Sequence, residues 1–477
     1  MSDAPAERLH PRITLAILAI SGLAYAVLSS SVVPALPTIQ HDLGASETGI
    51  TWVLTGYLLS ASVGTAILGR LGDAYGKERV LVWTLVLLGA GTLLAAVSHT
   101  LALLIIARVV QGVAGGIFPL SFGIVRDEFP ADQVAGSIGL LSAILGIGAG
   151  VGIVAGGLIV EHLSWQWLFW LPLPVIVVAA FCTWRFVPES PVRIPGRPSW
   201  LAAVLMSIGI STVLIGVSQS AVWGWGSPRT LALIVAGLLV CCVWVAVEVR
   251  SASPLIDMTM MRIRGVWTTN LAAFLLGAGM YSSFIIFPQF AQLPASTGFG
   301  FGASVVVSGL YLLPSTLGMV AAGFAAGAIA ARFGSKAALV AGSAITALSF
   351  GLLSAAHGHP YDMLASAALL GIGVGLAFAA LGNLIVQAVP PEQTGAAGGM
   401  NTVMRTIGGA IGGQLAATFI AGHTASDGLP AVTGFEETFV MATLFLVVCT
   451  FAALLVPDRA AMRAGREAEA VLLESAS

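Results

Sequence analysis

An all-α integral membrane protein is the fold class this sequence predicts, with two six-helix bundles and two further helices inserted between them, fourteen spans in all. Three observations predict it. Hydrophobic residues make up 57% of the 477 and charged residues only 9%, against about 25% charged in a soluble domain, and mean hydropathy is +0.96. Apolar runs of about 20 residues, enough to cross a ~30 Å hydrocarbon core, recur along the chain. Lysines and arginines gather in alternate loops. A net charge of −2 creates no field toward an acidic or basic partner. This composition excludes an ordinary soluble enzyme, a nucleic-acid binder and a disordered chain.

The runs lie near 13–33, 50–70, 80–98, 101–124, 135–160, 167–186, 199–218, 230–249, 266–290, 304–330, 336–355, 361–387, 396–421 and 437–456. They read as helices, because barrel strands would alternate polar and apolar residues in segments of about ten. The first follows Arg8 and Arg12 but stays apolar to Val33 with no A-x-A site, so it is a span and not a signal peptide. Arg8, Arg12, Arg70, Lys77, Arg79, Arg126, Arg185, Arg193, Arg197, Arg250, Arg262, Arg264, Arg332, Lys336, Arg459, Arg463 and Arg466 fall on one side of the spans, and Arg229 alone on the other. The positive-inside rule then places both termini in the cytoplasm, in agreement with an even number of spans. Cys182, Cys241, Cys242 and Cys449 lie in apolar runs and read as buried free thiols. No HExxH or CxxC pattern suggests a metal site.

The loop after the second run reads Gly69-Arg-Leu-Gly-Asp73-Ala-Tyr-Gly76-Lys77, and a second copy after the tenth reads Gly327-Ala-Ile-Ala-Ala-Arg332-Phe-Gly334-Ser-Lys336. Both glycine pairs are offset by 258 residues. Proline-rich breaks at Pro188–Pro198 and near Pro254 bracket the two extra spans. The expected organisation is 1–190 as an N-terminal six-helix bundle, 191–256 as linker and inserted pair, 257–458 as a C-terminal six-helix bundle and 459–477 as a short cytoplasmic tail. Because the six-plus-six unit is complete without it, the inserted pair is expected to be peripheral to the pathway. Parallel halves around a central pathway are a transporter architecture.

These residues resemble the major facilitator superfamily. GRLGDAYGK is similar to its signature between spans two and three, with Ala74 and Glu78 where basic residues are usual, and Arg108-Val-Val-Gln111-Gly112 is similar to its span-four RxxQG element. With Trp52–Tyr57, Trp165–Phe169, Arg405-Thr-Ile-Gly408-Gly409 and the fourteen-span plan, the resemblance extends to the fourteen-helix drug:proton antiporter branch of multidrug and antibiotic efflux type, across essentially the whole chain. It implies a cell-membrane exporter of a drug, antibiotic or natural product working by alternating access, with a proton gradient as energy source and no cofactor. It also implies a small-molecule substrate, a lipid bilayer as surroundings, no nucleic acid and function as a monomer.

The resemblance makes Gly69, Asp73, Gly76, Lys77 and Arg126 a gating loop. Physically, the Asp73 carboxylate can meet the positive end of a helix or Arg126. Gly148, Gly152 and Gly156, with Gly157 beside the last, recur every four residues as a helix-packing hinge or as tight packing alone. Ile153 stands where the antiporter signature has proline. An arginine inside a span should face a cavity or the protein interior, which makes Arg108, with Gln111, a pathway candidate. Arg405 reads either as a pathway residue or as one that snorkels or pairs with backbone carbonyls. Tyr25, Asn270, Tyr281, Tyr311 and Asn383 line a cavity or form interhelical hydrogen bonds. Trp165, Trp167 and Trp170 read as interfacial anchors.

Related antiporters carry an embedded aspartate in span one, where this chain has Leu28, and none of its 22 acids lies deep in a span. Buried arginines without a buried acid favour an anionic, zwitterionic or neutral substrate. Arginine cannot carry a proton through a cycle. The candidates for that are Asp73, the Arg126-Asp127-Glu128 cluster, and Asp42 with Glu47. A facilitator or exchanger of a neutral or anionic metabolite is the second reading, and a non-transporting membrane sensor the third. No nucleophile–base pair or phosphate loop points to an enzyme.

Overall fold

The structure, a computed structural model, describes residues 11–190, 198–251, 253–423 and 429–458. The expectations resting on Arg8, Arg193, Arg197, Arg459, Arg463 and Arg466, on the linker at 191–197, on the tail from 459 and on the Glu47 side chain lie outside the described residues. Among the described residues the apolar runs are helical and no β-strand forms. The first six helices are α1 (Pro11–Ser30), α2 (Glu47–Tyr75), α3 (Lys77–Ala96), α4 (Leu101–Glu128), α5 (Ala131–His162) and α6 (Trp167–Phe186). The inserted pair is α7 (Trp200–Trp223) and α8 (Pro228–Arg250), followed by α9 (Arg264–Gln292), α10 (Leu313–Ala355), α11 (Pro360–Ala388), α12 (Thr394–Gly422) and α13 (Val432–Leu455). Local chemistry sets several starts. The hydroxyls of Ser46, Thr100 and Ser199 accept from Gly49, Leu103 and Ala202 backbone N–H groups and so cap α2, α4 and α7.

Twelve of these helices are long and apolar enough to cross a membrane, against the fourteen expected. The difference has two physical sources. The 29-residue α12, beginning Thr-Gly-Ala-Ala-Gly-Gly-Met-Asn, is rich in glycine and polar residues and falls short in hydropathy. The 43-residue α10 is a single element interrupted at Gly334, whose backbone is non-helical (φ 83°, ψ 155°). Its arm 313–333 runs parallel to α11, with Ser315 against Gly371 and Met319 against Gly375. Its arm 335–355 runs antiparallel to α11, with Gly342 against Ala377 and Thr346 against Gly373. The two arms therefore fold back on one another. Gly76, the residue offset from Gly334 in the internal repeat, also has positive φ (108°) and reverses the chain between α2 and α3. A side chain at either position would be strained.

The helices α1–α6 and α9–α13 form two sets that meet along two seams. In one, α2 lies so close to α12 that a Cβ on Gly69 or Gly395 would collide with the other's carbonyl. In the other, α5 lies against the first arm of α10, with Gly136 beside Gly327, Gly139 beside Gly323, Gly146 beside Met319 and Gly150 beside Thr316. The inserted pair does not stand apart. Helix α7 packs on both α2 and α12, and α8 packs on α7. Trp225, between them, donates from Nε1 to the Thr418 hydroxyl of α12 at 2.9 Å.

Two smaller expectations are corrected by packing. Trp165 is buried edge-on against Phe169 and is no interfacial anchor, whereas Trp167 and Trp170 are exposed as expected. All four cysteines are free, but only Cys449 is fully buried, while Cys242 faces outward.

Candidate functional site

At the end of the molecule that carries Arg70, Lys77 and Arg126, side chains of the first set close onto backbone of the second. Asp73 is fully buried, and its two carboxylate oxygens accept from the Gly395 and Ala396 N–H groups at 3.0 and 2.8 Å. These are orphan donors in the first turn of α12, so the carboxylate caps that helix and meets the positive end of its dipole. Lys77 holds Asp127 at 2.6 Å and stands 3.9 Å from Asp73, and the Ser190 hydroxyl also donates to Asp127. Arg126 caps the opposite kind of terminus. It donates to the carbonyls of Val389 and Pro390, just past α11, at 2.8 and 3.2 Å and to the Thr394 hydroxyl at 2.6 Å. Asn383 of α11 donates to the Ala135 carbonyl of α5 at 3.3 Å. Every one of these bonds except those of Lys77 and Ser190 joins one set to the other.

The inserted segment is wired into the same end. Arg70 donates to the Pro254 carbonyl at 3.1 Å. Glu248, buried at the end of α8, accepts from Trp244 Nε1 and from the Leu255 and Ile256 N–H groups at 3.1, 2.9 and 3.2 Å. Asp257 accepts from Gln393 Nε2, one residue before α12, at 3.2 Å.

Arg108 is sealed inside the first set. Its guanidinium donates to the carbonyls of Leu28 and Val53, both at 3.3 Å, and to Gln111 Oε1 at 2.9 Å, and it lies over the Tyr57 ring at 4.1 Å. Gln111 is in turn fixed by donating to Thr92 Oγ1 at 3.0 Å. Arg108 thus ties α1, α2 and α4 together, and its carbonyl partner on α1 is the residue that stands where related antiporters have an acid.

Between the sets lies a narrow cleft lined by Phe118, Phe122, Ser142 and Leu145 from the first set and Phe378, Gly382, Ile385, Gly398, Asn401, Thr402 and Arg405 from the second. Arg405 lies over the Phe378 ring at 4.3 Å and hydrogen-bonds with the Tyr281 side chain, its Nε has no hydrogen-bond partner, and Tyr25 is a further electrostatic neighbour. Tyr25 stacks on Tyr57 at 6.1 Å and meets Phe118 edge-on at 6.3 Å, so a band of aromatic rings joins the two arginines. Asn401 Nδ2 donates to Asn270 Oδ1 at 3.0 Å, which places Asn270 behind the cleft as a support.

The residues singled out from sequence therefore separate. Arg405 faces the cleft, with Tyr25 and Tyr281 beside it. Arg108 and Gln111 are interior struts, and Asn383 is a tie between sets. Tyr311 packs against Phe301 at 5.8 Å, away from the cleft. Gly148, Gly152 and Gly156 press α5 onto Ala26 and Ser30 of α1 and onto Ser31 just past its end, and Gly157 is half-buried beside them. The glycine face that joins the two sets is the other one, through Gly136, Gly139, Gly146 and Gly150. Sequence reading missed it, although its spacing was available as a second small-residue stripe. It also missed Phe118, Phe122 and Phe378, which look like any other apolar residues in a span. Among the described residues no cluster of histidine, cysteine and acid suits a metal.

Compared with known proteins, the chain matches the Major Facilitator Superfamily over residues 18–413, with a second match over 269–475. It is 29% identical over 422 residues to the tetracenomycin C resistance and export protein of Streptomyces glaucescens, covering 86% of this chain and 77% of that one. It is 26% identical over 322 residues to multidrug resistance protein 3 of Bacillus subtilis, covering 67% of this chain and 62% of the relative, less than two thirds of its length. Its fold is similar to the crystal structure of the human organic anion transporter MFSD10, with a TM-score of 0.67, 15% identity and coverage of 93% and 99% of the two chains.

Proposed function

Because the chain belongs to the Major Facilitator Superfamily, we propose that it is a secondary active exporter that moves a small amphipathic drug, antibiotic or natural product across a bacterial cell membrane by alternating access. The observation that carries this reading is the closure of one end by Asp73 and Arg126 on the termini of α12 and α11, with the aromatic cleft behind it. Such contacts join two rigid sets through a few bonds that can be broken together, as a rocking carrier requires.

In this reading the basic end and both termini are cytoplasmic, so the described arrangement is closed to the cytoplasm. The 43 residues of α10 would span about 65 Å as one straight helix, twice the hydrocarbon thickness. Its two antiparallel arms are taken as separate crossings, and with α12 as a further crossing the count becomes fourteen. The chain divides into a six-helix bundle to about residue 190, the inserted pair to 256 and a second bundle to 458, and it works as a monomer, without a cofactor and without enzymatic activity. Energy comes from proton antiport, following the resemblance, with Asp73, the Asp127 and Glu128 carboxylates beside Arg126, or Asp42 with Glu47, as the candidate proton carriers.

A second reading, a facilitator or exchanger of an anionic metabolite, is favoured by one observation, Arg405 lining the cleft with no carboxylate among its electrostatic neighbours. Expression in an efflux-deficient bacterium tests both. Export predicts protection against some members of a panel of cationic, neutral and anionic antibiotics, lost on collapse of the proton gradient. No protection against any member would reject export in favour of the facilitator.

A further inference from the structure

We infer that the cleft between the sets, about 20 Å³ in the described arrangement and wider once the sets part, is an anion site for an aromatic molecule bearing a carboxylate, with Arg405 as its counter-charge. This rests on the reading of the cleft as the transport pathway and names the class of molecule it takes. The other polar donors lining the cleft are already engaged. The Ser142 hydroxyl is spent on the Ile138 carbonyl at 2.8 Å and the Thr402 hydroxyl on the Gly398 carbonyl at 3.1 Å. Asn401 Nδ2 is spent on Thr269 O and Asn270 Oδ1. What remains is the Arg405 guanidinium, which shares a hydrogen bond with Tyr281 but keeps an unpartnered Nε, with no salt bridge among the described residues and no carboxylate among its electrostatic neighbours.

Each arginine keeps one unpartnered nitrogen, Nη2 of Arg108 and Nε of Arg405, but Arg108 is enclosed by two carbonyls, a glutamine and a tyrosine ring and lines no cleft. Arg405 has an aromatic ring on one face and an opening between the sets beside it. Arginine stays protonated, so the cleft carries a fixed positive charge away from bulk water, which attracts an anion and repels a cation. The planar fork suits a carboxylate. Phe118, Phe122 and Phe378 supply the aromatic faces against which a flat ring system packs.

The test uses the purified full-length protein in nanodiscs, in chloride-free buffer, with three fluorescent probes of one shape: anthracene-2-carboxylate, anthracene-2-carboxamide and 2-(aminomethyl)anthracene. The expected result is that the carboxylate binds roughly tenfold or more tightly than the amide and the amine binds weakest, as for a charge-assisted contact. Arg405→Gln should abolish the preference for the carboxylate while the amide still binds, and Arg405→Lys should keep the order with reduced affinity. Should Arg405→Gln fail to give a monodisperse protein, the wild-type order and Arg405→Lys decide. Equal binding of all three probes, tightest binding of the amine, no binding of any probe, or an unchanged preference in Arg405→Gln would each overturn the inference. Efflux in cells without a charge preference would remove the anion site and leave export standing. Anion-selective binding without efflux would do the reverse.

Discussion

Replacing Asp73 by asparagine should open the basic end of the molecule. The carboxylate accepts two backbone N–H bonds at 3.0 and 2.8 Å in the first turn of α12. Asparagine keeps one accepting oxygen, so one buried N–H loses its partner and the negative charge at the helix N-terminus disappears. A hydrogen bond to a charged group contributes about 1.5–3 kcal/mol and a charge at a partly buried helix end up to ~2 kcal/mol. The two overlap, so roughly 3 kcal/mol leaves the closed arrangement. The bonds join separate sets and have no counterpart once the sets part, so the loss falls on one side of the equilibrium. At 1.4 kcal/mol per tenfold, the closed-to-open ratio falls on the order of 100-fold. Spin labels at Ala131→Cys and Pro391→Cys, on exposed positions of the two sets, report this by pulsed electron resonance in nanodiscs, with the four native cysteines replaced. In the parent a short distance should dominate, and in Asp73→Asn a longer one. Identical distance distributions in the two proteins would refute the argument that this carboxylate holds the sets together.

Three further outcomes follow from the same geometry. Gly69→Val should shift the same label pair to the longer distance, since its side chain would occupy the space of the Gly395 carbonyl, and an unchanged distance would mean that the seam can relax around it. Arg108→Leu leaves the Leu28 and Val53 carbonyls and Gln111 Oε1 without their donor. It should lower the thermal stability of the purified protein by about 3 kcal/mol or more and weaken protection against all substrates alike, so that selective loss of one substrate charge class would show a direct contact instead. Glu248→Gln leaves one oxygen to serve three donors, costs about 2 kcal/mol, and should speed proteolysis between residues 251 and 257; equal cleavage rates would count against the clamp.

The helices were legible because each hydrophobic run is a local signal, and the two places where the count differs are the places where that signal is weak. Helix α12 trades apolar side chains for the glycines that let α2 approach, and α10 hides its reversal at one glycine, which only the repeat with Gly76 picks out. The role of Asp73 was legible in kind, as a carboxylate seeking a helix end, but its partners are backbone N–H groups 322 and 323 residues away, and backbone carries no sequence signal. The two arginines could not be told apart. Both sit on glycine-bearing helix faces, and which one is enclosed depends on where Leu28, Val53 and Tyr57 fall in three dimensions. Glu248 looked like an acid at the end of a span, because the loop that wraps it is specified only by the fold.

The position of α7 makes the two flanks of the molecule unequal. It covers the α2–α12 seam and α8 backs it with a second apolar layer, whereas among the described residues the inserted pair makes no comparable packing on the α5–α10 seam opposite. A solute dissolved in the acyl chains, as amphipathic aromatic compounds are, would find the first flank shuttered and only the second available for sideways entry. Under the proposed function, the inserted pair leaves any sideways capture from the bilayer to the α5–α10 flank, where Gly146 and Gly150 close the seam against Met319 and Thr316.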